Sequence, residues 1–230
     1  MVITCAGKGT RLLPFTKELP KEMAPIFSLG ENGIEIKPLI QQIFENLFTI
    51  GIREFCFISG KTKRSLQDHF YPDQQQDIPP SLSNFYEMII NSQIAWINQL
   101  IPKGFGDAVL ESKSFVNNDV FLVQAGDVVI SSQIHSSIKK LIELSKNEDI
   151  EAAFLVQTVT DPERHGIVTT KKDDDVSLVT KVVEKPKDPE TNIGIMPFYF
   201  FRSSIFDALE TTTPGYGNEI QLTDAIQKLI

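Results

Sequence analysis

The sequence predicts an α/β fold, a mostly parallel mixed sheet flanked by helices, in a single domain covering residues 1–230. Three observations predict it. Strand-like and helix-like segments alternate along most of the chain, the pattern of βα units. Several strand-like runs are continuously apolar, as in residues 2–5 (VITC) and 120–124 (VFLVQ), which suits strands buried on both faces. With 230 residues, 41% hydrophobic and 23% charged, the chain can bury one sizeable core.

Composition excludes some partners. The net charge of −8 gives no general basic field, so neither nucleic acid nor an anionic membrane is an expected partner. A phosphate site must be assembled locally, from a few cations and backbone donors. The two cysteines, Cys5 and Cys56, both fall in apolar runs and read as reduced, buried thiols, with no CxxC or Cys/His cluster to suggest zinc. No basic leader precedes the first strand, and no apolar run nears the length of a membrane span, so a cytoplasmic protein is expected.

The first strand leads into small residues, Ala6-Gly7-Lys8-Gly9-Thr10, then Arg11, with Lys21 ten positions on in Pro20-Lys21-Glu22-Met23. Glycines let the backbone approach a ligand and ring an anion with N–H groups. Arg11 offers a planar fork of donors to phosphate oxygens, and Lys21 a mobile point charge. The loop therefore reads as a polyphosphate holder, although the same residues alone also suit an ordinary strand-to-loop turn. It is neither a Walker A loop, since Lys8 lies between the glycines, nor a GxGxxG fingerprint, since Leu12 occupies the third glycine position.

Onward, apolar residues at helical spacing predict a helix over 37–50 ended by Gly51. A strand is expected over 54–59, a helix over 61–70, an exposed excursion over 71–83, a helix over 84–93 and a strand over 94–97. Gln99 precedes a glycine turn at Gly104 and Gly106, with Asp107 expected to cap a helix running to about 115. The strand over 120–124 ends in Ala125-Gly126-Asp127, and a carboxylate at the end of a buried strand sits where α/β sheets bind ligands. Its hard oxygens suit Mg²⁺. A helix over 132–145, a strand over 152–159, a charged hairpin tip at 171–175, a strand over 192–201 and a helix closing within 207–213 follow. His135 is expected to be a surface or satisfied residue. Asn218 is expected to cap a helix beginning at 219.

Together these motifs resemble the sugar-phosphate nucleotidylyltransferases, whose pattern GxGTRxxPxT is followed by PKxM, and most of all the bacterial-type UTP–glucose-1-phosphate uridylyltransferases, in which PKEM is characteristic. The resemblance runs from residue 2 almost to residue 230 and takes in Val182-Val183-Glu184-Lys185-Pro186 and Glu219 to Ala225 (EIQLTDA). It implies a Rossmann-like nucleotidyltransferase fold, with residues 1–131 mainly binding nucleotide and 132–230 mainly binding sugar. It implies that Ala6, Gly7, Gly9, Thr10 and Arg11 hold the nucleoside triphosphate, and that Lys21 reaches the phosphates at the reacting centre. Gln99 and Gly104 would bind uracil, Asp127 the Mg²⁺. Gly166, Glu184, Lys185 and Gly194 would bind the sugar phosphate, Glu184 through hydroxyls and Lys185 through phosphate.

The implied catalytic set is Arg11, Lys21, Asp127 and Lys185, acting on UTP and glucose 1-phosphate. Departures are Phe105 for a small or aliphatic residue, Val128 for a second aspartate, and His165 for an aromatic one. The family's second metal-binding aspartate has no counterpart within these 230 residues. A thymidylyltransferase or another nucleotidylyltransferase, or a non-catalytic regulatory homologue, is the alternative. Family members often self-associate, so a homo-oligomer is an open reading.

Overall fold

The computed structural model describes residues 1–30, 33–61, 63–72, 78–130, 135–173 and 176–230, without the side chains of 172 and 173. By its internal contacts the chain forms two units, Met1–Ile101 with Gln124–His135, and Pro102–Val123 with Ser136–Ile230.

The first unit is built on parallel strands. The apolar start of the chain forms β1 (Val2–Thr4), wholly buried, which pairs in parallel with β4 (Glu54–Gly60) in the register Val2↔Cys56. β4 pairs in parallel with β5 (Gln93–Gln99). The end of β6 (Phe121–Ala125), at Gln124 and Ala125, also belongs to this unit. Parallel pairing buries both faces, which is why β1 and β4 read as unbroken apolar runs.

Helix α1 (Leu39–Thr49) buries Ile40, Ile43, Phe44 and Leu47 on one stripe and stops before Gly51, whose φ of 103° favours glycine. It starts at 39 rather than 37 because Lys37 and Pro38 end a strand. Helices α2 (Arg64–His69) and α3 (Pro80–Ile90) complete the unit. Helix α3 reaches into the stretch expected to be an excursion, because Pro80 sits at the first helical turn, where its missing N–H costs nothing. The rest of that excursion, residues 73–77, lies outside the described residues.

The core here is aromatic. Phe44 lies 4.7 Å from Phe55 and 5.2 Å from Phe70, and Phe57 lies 4.5 Å from Trp96, centroid to centroid. Each fully buried Phe contributes about 1.5–3 kcal/mol by removal from water. Cys5 and Cys56 are both buried and free. Burial pushes the Cys5 thiol well up, and raises that of Cys56 to about 12.

One element was not expected from the sequence, an antiparallel hairpin of β2 (Pro25–Gly30) and β3 (Gly33–Pro38). Ser28 donates a hydrogen bond to Gln42 of α1 at 2.5 Å, and Lys37 donates to Glu45 at 2.8 Å. One polar face of the ribbon thus rests on α1.

The second unit carries antiparallel strands. β10 (Ile193–Phe201) pairs antiparallel with β7 (Ala152–Thr158) and with β8 (Gly166–Asp173), and β8 forms a hairpin with β9 (Val176–Glu184). Residues 174–175, within the expected charged tip, lie outside the described residues. The helices are α4 (Phe105–Leu110), α5 (Lys113–Val116), α6 (His135–Leu144), α7 (Ser204–Glu210) and α8 (Leu222–Gln227). His135 falls on the boundary between the units, at the first described residue of α6, and is partly exposed. The expected start of that helix, 132–134, is outside the described residues.

Two capping expectations fail here. Gly104, not Asp107, is the N-cap of α4, and Asp107 lies buried in its first turn. Helix α8 begins at Leu222 with Gln221 as N-cap, because Asn218 adopts φ 58° in a left-handed turn that cannot start a helix. No described helix is long and apolar enough to cross a membrane.

Candidate active site

In the first unit, three loops leave the carboxyl ends of neighbouring strands, where open α/β sheets bind ligands. The loop after β1 runs through Ala6, Gly7 and Gly9. Gly9 takes φ 65°, and its carbonyl accepts hydrogen bonds from the Thr16 hydroxyl at 2.7 Å and the Leu12 N–H at 2.9 Å. Thr10 and Arg11 then form a short 3₁₀ turn, Thr10–Leu12. Both are exposed, and Arg11 makes no hydrogen bond or ion pair among the described residues. That leaves its guanidinium free for an anion.

Lys21 opens a further 3₁₀ turn, Lys21–Met23, and lies under the glycine loop. A β-carbon at Gly7 would meet the Lys21 ammonium at 3.1 Å, so the loop passes close over that cation. Lys21 Nζ donates to Asp127 Oδ2 at 2.6 Å. Asp127 follows Gly126, whose N–H donates to the Thr4 carbonyl at 2.9 Å and whose own β-carbon would strike Cys5 Sγ at 2.6 Å. The structure therefore brings Lys21 and Asp127, 106 positions apart, into contact.

Beneath them lies a buried ion pair that the motif reading did not single out. Glu22 is wholly buried, and Lys63, ahead of α2, donates to both of its carboxylate oxygens at 2.9 and 2.8 Å. Burial pushes the Glu22 carboxyl above its usual value, against the pull of the Lys63 ammonium. Gln99 is buried at the end of β5 and lines a cleft of about 240 Å³ together with Ser59, Gly60, Arg64 and Asn98.

In the second unit, Gly104 lies in the turn before α4. Its φ is 122°, and a β-carbon there would sit 2.6 Å from the Ile220 carbonyl oxygen. The strand-like segment before α8 is pinned to this turn, Ile220 N–H donating to the Lys103 carbonyl at 2.7 Å and Gly106 N–H to the Ile220 carbonyl at 2.9 Å. Gly104→Ala is expected to lower stability by about 1–3 kcal/mol, because neither the backbone angle nor the facing backbone can yield; a melting curve checks it.

The sugar-side residues gather around the end of β9. Gly166 pairs with Glu184 across the β8–β9 hairpin, and Gly194 of β10 pairs with Ile167. Lys185 has φ 42°, rare for a side-chain-bearing residue, and its N–H is held by the His165 carbonyl at 3.0 Å. Its ammonium lies 2.8 Å from Glu184 Oε1 and 4.7 Å from the centre of the Tyr216 ring. Thr223 donates to the other Glu184 oxygen at 3.0 Å, and its methyl would meet a β-carbon at Gly166 at 2.7 Å. Burial first, and the Glu184 charge second, push the neighbouring Asp224 carboxyl up.

The whole of residues 1–230 matches the family described as nucleotidyl transferase. The chain belongs to that family. This nucleotidyl transferase is 37% identical to a UTP–glucose-1-phosphate uridylyltransferase of Staphylococcus epidermidis, over 99% of the chain and 80% of the relative. It is 34% identical to the enzyme of that name from Streptococcus pneumoniae, over 99% of the chain and 78% of the relative. Among solved structures, a UDP-glucose pyrophosphorylase complexed with UDP-glucose superposes with a TM-score of 0.86 at 29% identity, over 99% of this chain and 85% of that one. A UTP-bound enzyme of the same kind from Acinetobacter baumannii gives 0.79 at 26% identity, over 99% and 81%. The α/β fold expected of the nucleotidyl transferase, a mixed sheet flanked by helices, is thereby established.

Thr223 and Tyr216, which contact Glu184 and Lys185, were not among the candidate residues read from the sequence. Both lay in or beside the stretch quoted for the resemblance, but the helix reading gave them no role. Only the fold brings Thr223 and Tyr216 to the Glu184-Lys185 pair.

Proposed function

We propose that this nucleotidyl transferase transfers a uridylyl group from UTP to glucose 1-phosphate, giving UDP-glucose and pyrophosphate. The contact between Lys21 and Asp127 under the glycine loop carries the reading, because it sets a cation and a hard carboxylate beside that loop. The names of the relatives and the PKEM and EIQLTDA motifs support UTP and glucose.

In this reading the first unit receives the triphosphate. Backbone from Ala6 to Gly9 and the side chain of Thr10 cradle it, Arg11 neutralises the departing pyrophosphate, and Lys21 neutralises charge at the α-phosphate. Gln99, at the cleft closing β5, and Gly104 address the uracil edge. Glu184 accepts hydrogen bonds from sugar hydroxyls, Lys185 holds the sugar phosphate, and the backbone at Gly166 and Gly194 leaves room for the ring. The attacking phosphate oxygen is already anionic, so the protein supplies position and charge rather than a nucleophile or base.

The residues fit a magnesium ion. Asp127 is partly exposed and one of its oxygens is bonded to Lys21, while no cluster of three or more metal-binding side chains exists among the described residues. That is the donor set of an ion held by one carboxylate with substrate phosphates and water. When bound, Mg²⁺ would supply charge neutralisation at the phosphate oxygens.

The test is pyrophosphate release by the purified chain from UTP, dTTP or other nucleoside triphosphates with glucose 1-phosphate and Mg²⁺. UTP is expected to react fastest, and the absence of pyrophosphate with every nucleotide overturns the reading. Thr223→Val is expected to raise the KM for glucose 1-phosphate by about tenfold through loss of one hydrogen bond to a carboxylate, leaving the KM for UTP unchanged. Steady-state kinetics with each substrate varied checks it.

A further inference from the structure

Lys21 sits on a turn too short to aim it. The 3₁₀ turn Lys21–Met23 has three residues and follows Pro20, which has no N–H to give. Two backbone bonds hold it, Met23 N–H to the Pro20 carbonyl at 2.9 Å and Ala24 N–H to the Lys21 carbonyl at 3.1 Å. Successive side chains leave such a turn about 120° apart. Fixing the side chain at 22 therefore fixes the direction of the one at 21.

Glu22 is fixed from several sides. It is wholly buried, and Lys63, only 7% exposed, donates to both of its oxygens. Its stem also touches the other half of the Lys21–Asp127 contact. A β-carbon at Gly126 would lie 3.4 Å from Glu22 Cγ, and Asp127 is the next residue. Lys63 is itself tied to the end of β4, its N–H donating to the Gly60 carbonyl at 3.1 Å. The loops after β1, β4 and β6 thus meet on one buried carboxylate.

We propose that Glu22 and Lys63 are positioning residues for the transfer reaction: their buried ion pair holds Lys21 against Asp127, and that contact is lost without it. This role presupposes that Lys21 and Asp127 act on the phosphates, as proposed above. Energetics favours position over stability as the reason for the pair. Taking two charges out of water is costly, and apolar residues of similar volume commonly serve a fold as well or better. What an apolar pair cannot supply is direction, because its contacts are not oriented, whereas two hydrogen bonds to one carboxylate fix its rotation as well as its place.

Glu22→Leu with Lys63→Met tests this, since it removes both charges and their bonds at nearly constant volume. The melting temperature is expected to stay close to that of the wild type. The kcat for pyrophosphate release from UTP and glucose 1-phosphate is expected to fall at least about tenfold, a 1 Å displacement at a reacting group being worth up to about a hundredfold. The KM for glucose 1-phosphate is expected to be unchanged. Phe85→Leu is the control. Phe85 is wholly buried in the aromatic core of the same unit, 5.8 Å from Phe44, so its loss is expected to lower the melting temperature and leave kcat as it was.

Crystal structures of the wild type and the double variant read the position without turnover. The distance from Lys21 Nζ to Asp127 Oδ2 is expected to be 2.6 Å in the first. In the second it is expected to exceed about 3.5 Å, beyond a direct hydrogen bond. A double variant that keeps the contact, keeps the wild-type kcat or fails to fold overturns the proposal, and so does an equal loss of kcat in Phe85→Leu. A wild-type chain that releases no pyrophosphate overturns the functional reading instead, and the contact distance then decides the positioning role by itself.

Discussion

Lys21→Ala is expected to lower turnover by about a hundredfold or more, the effect of removing one preorganised charge from a reacting phosphate. The lysine is placed for it by three features. The 3₁₀ turn Lys21–Met23 sets its direction, Asp127 holds its ammonium at 2.6 Å, and the loop at Gly7 passes close over it. Lys21→Arg is expected not to restore the rate, because a planar guanidinium does not reproduce the compact point charge held 2.6 Å from Asp127. Asp127→Ala is expected to cost at least as much, since it frees the lysine and removes the carboxylate in one step. Single-turnover rates for the three variants, with folding followed by circular dichroism, check these values. A Lys21→Ala chain turning over at the wild-type rate removes Lys21 from the reaction.

Lys63→Ala is expected to destabilise the first unit by about 3–5 kcal/mol, the cost of leaving a buried charge without its partner. Glu22 is completely buried and both of its oxygens are bonded to Lys63. The loss depends on pH with a definite sign. Burial raises the Glu22 carboxyl in the folded state, so the folded chain holds that proton more tightly than the unfolded one. Stability from this residue is then fully present below the ordinary glutamate range and declines as pH rises through the raised value. The penalty of Lys63→Ala is therefore largest at neutral pH and shrinks on acidification. Replacing both partners together, Glu22→Leu with Lys63→Met, is expected to recover much of the loss, because no charge remains to desolvate. Denaturant titrations at pH 5 and 7 measure both effects.

Much of this was legible in the residues. The apolar runs that became β1, β4 and β6 are buried on both faces, so periodicity and composition sufficed to find them. The glycine loop and Asp127 could be placed because a strand end fixes where the next few residues point. The hairpin at 25–38 was not legible, since its outward-facing apolar row has no core to announce it. The pairing of Glu22 with Lys63 was hidden for another reason. Nothing local distinguishes a buried lysine from a solvated one, and these partners are 41 positions apart. Helix α3 was misjudged at its start because Pro80 resembles a breaker and is instead an opening residue. The turn at 216–218 was misjudged because Asn218 suits both a helix cap and a left-handed bend, and the extended segment after it is held instead to the turn before α4 through Ile220 and Lys103.

The two sulfhydryls equip the polypeptide with internal clocks. Cys5 and Cys56 lie just past and within neighbouring strands, shielded and held in their unreactive, protonated form. An alkylating reagent can reach them only when the packing around β1 and β4 opens, so the labelling rate follows local opening of that part of the core. Nucleotide that grips the glycine loop would slow the count, which turns a pair of inert side chains into a readout of occupancy that needs neither a chromophore nor turnover.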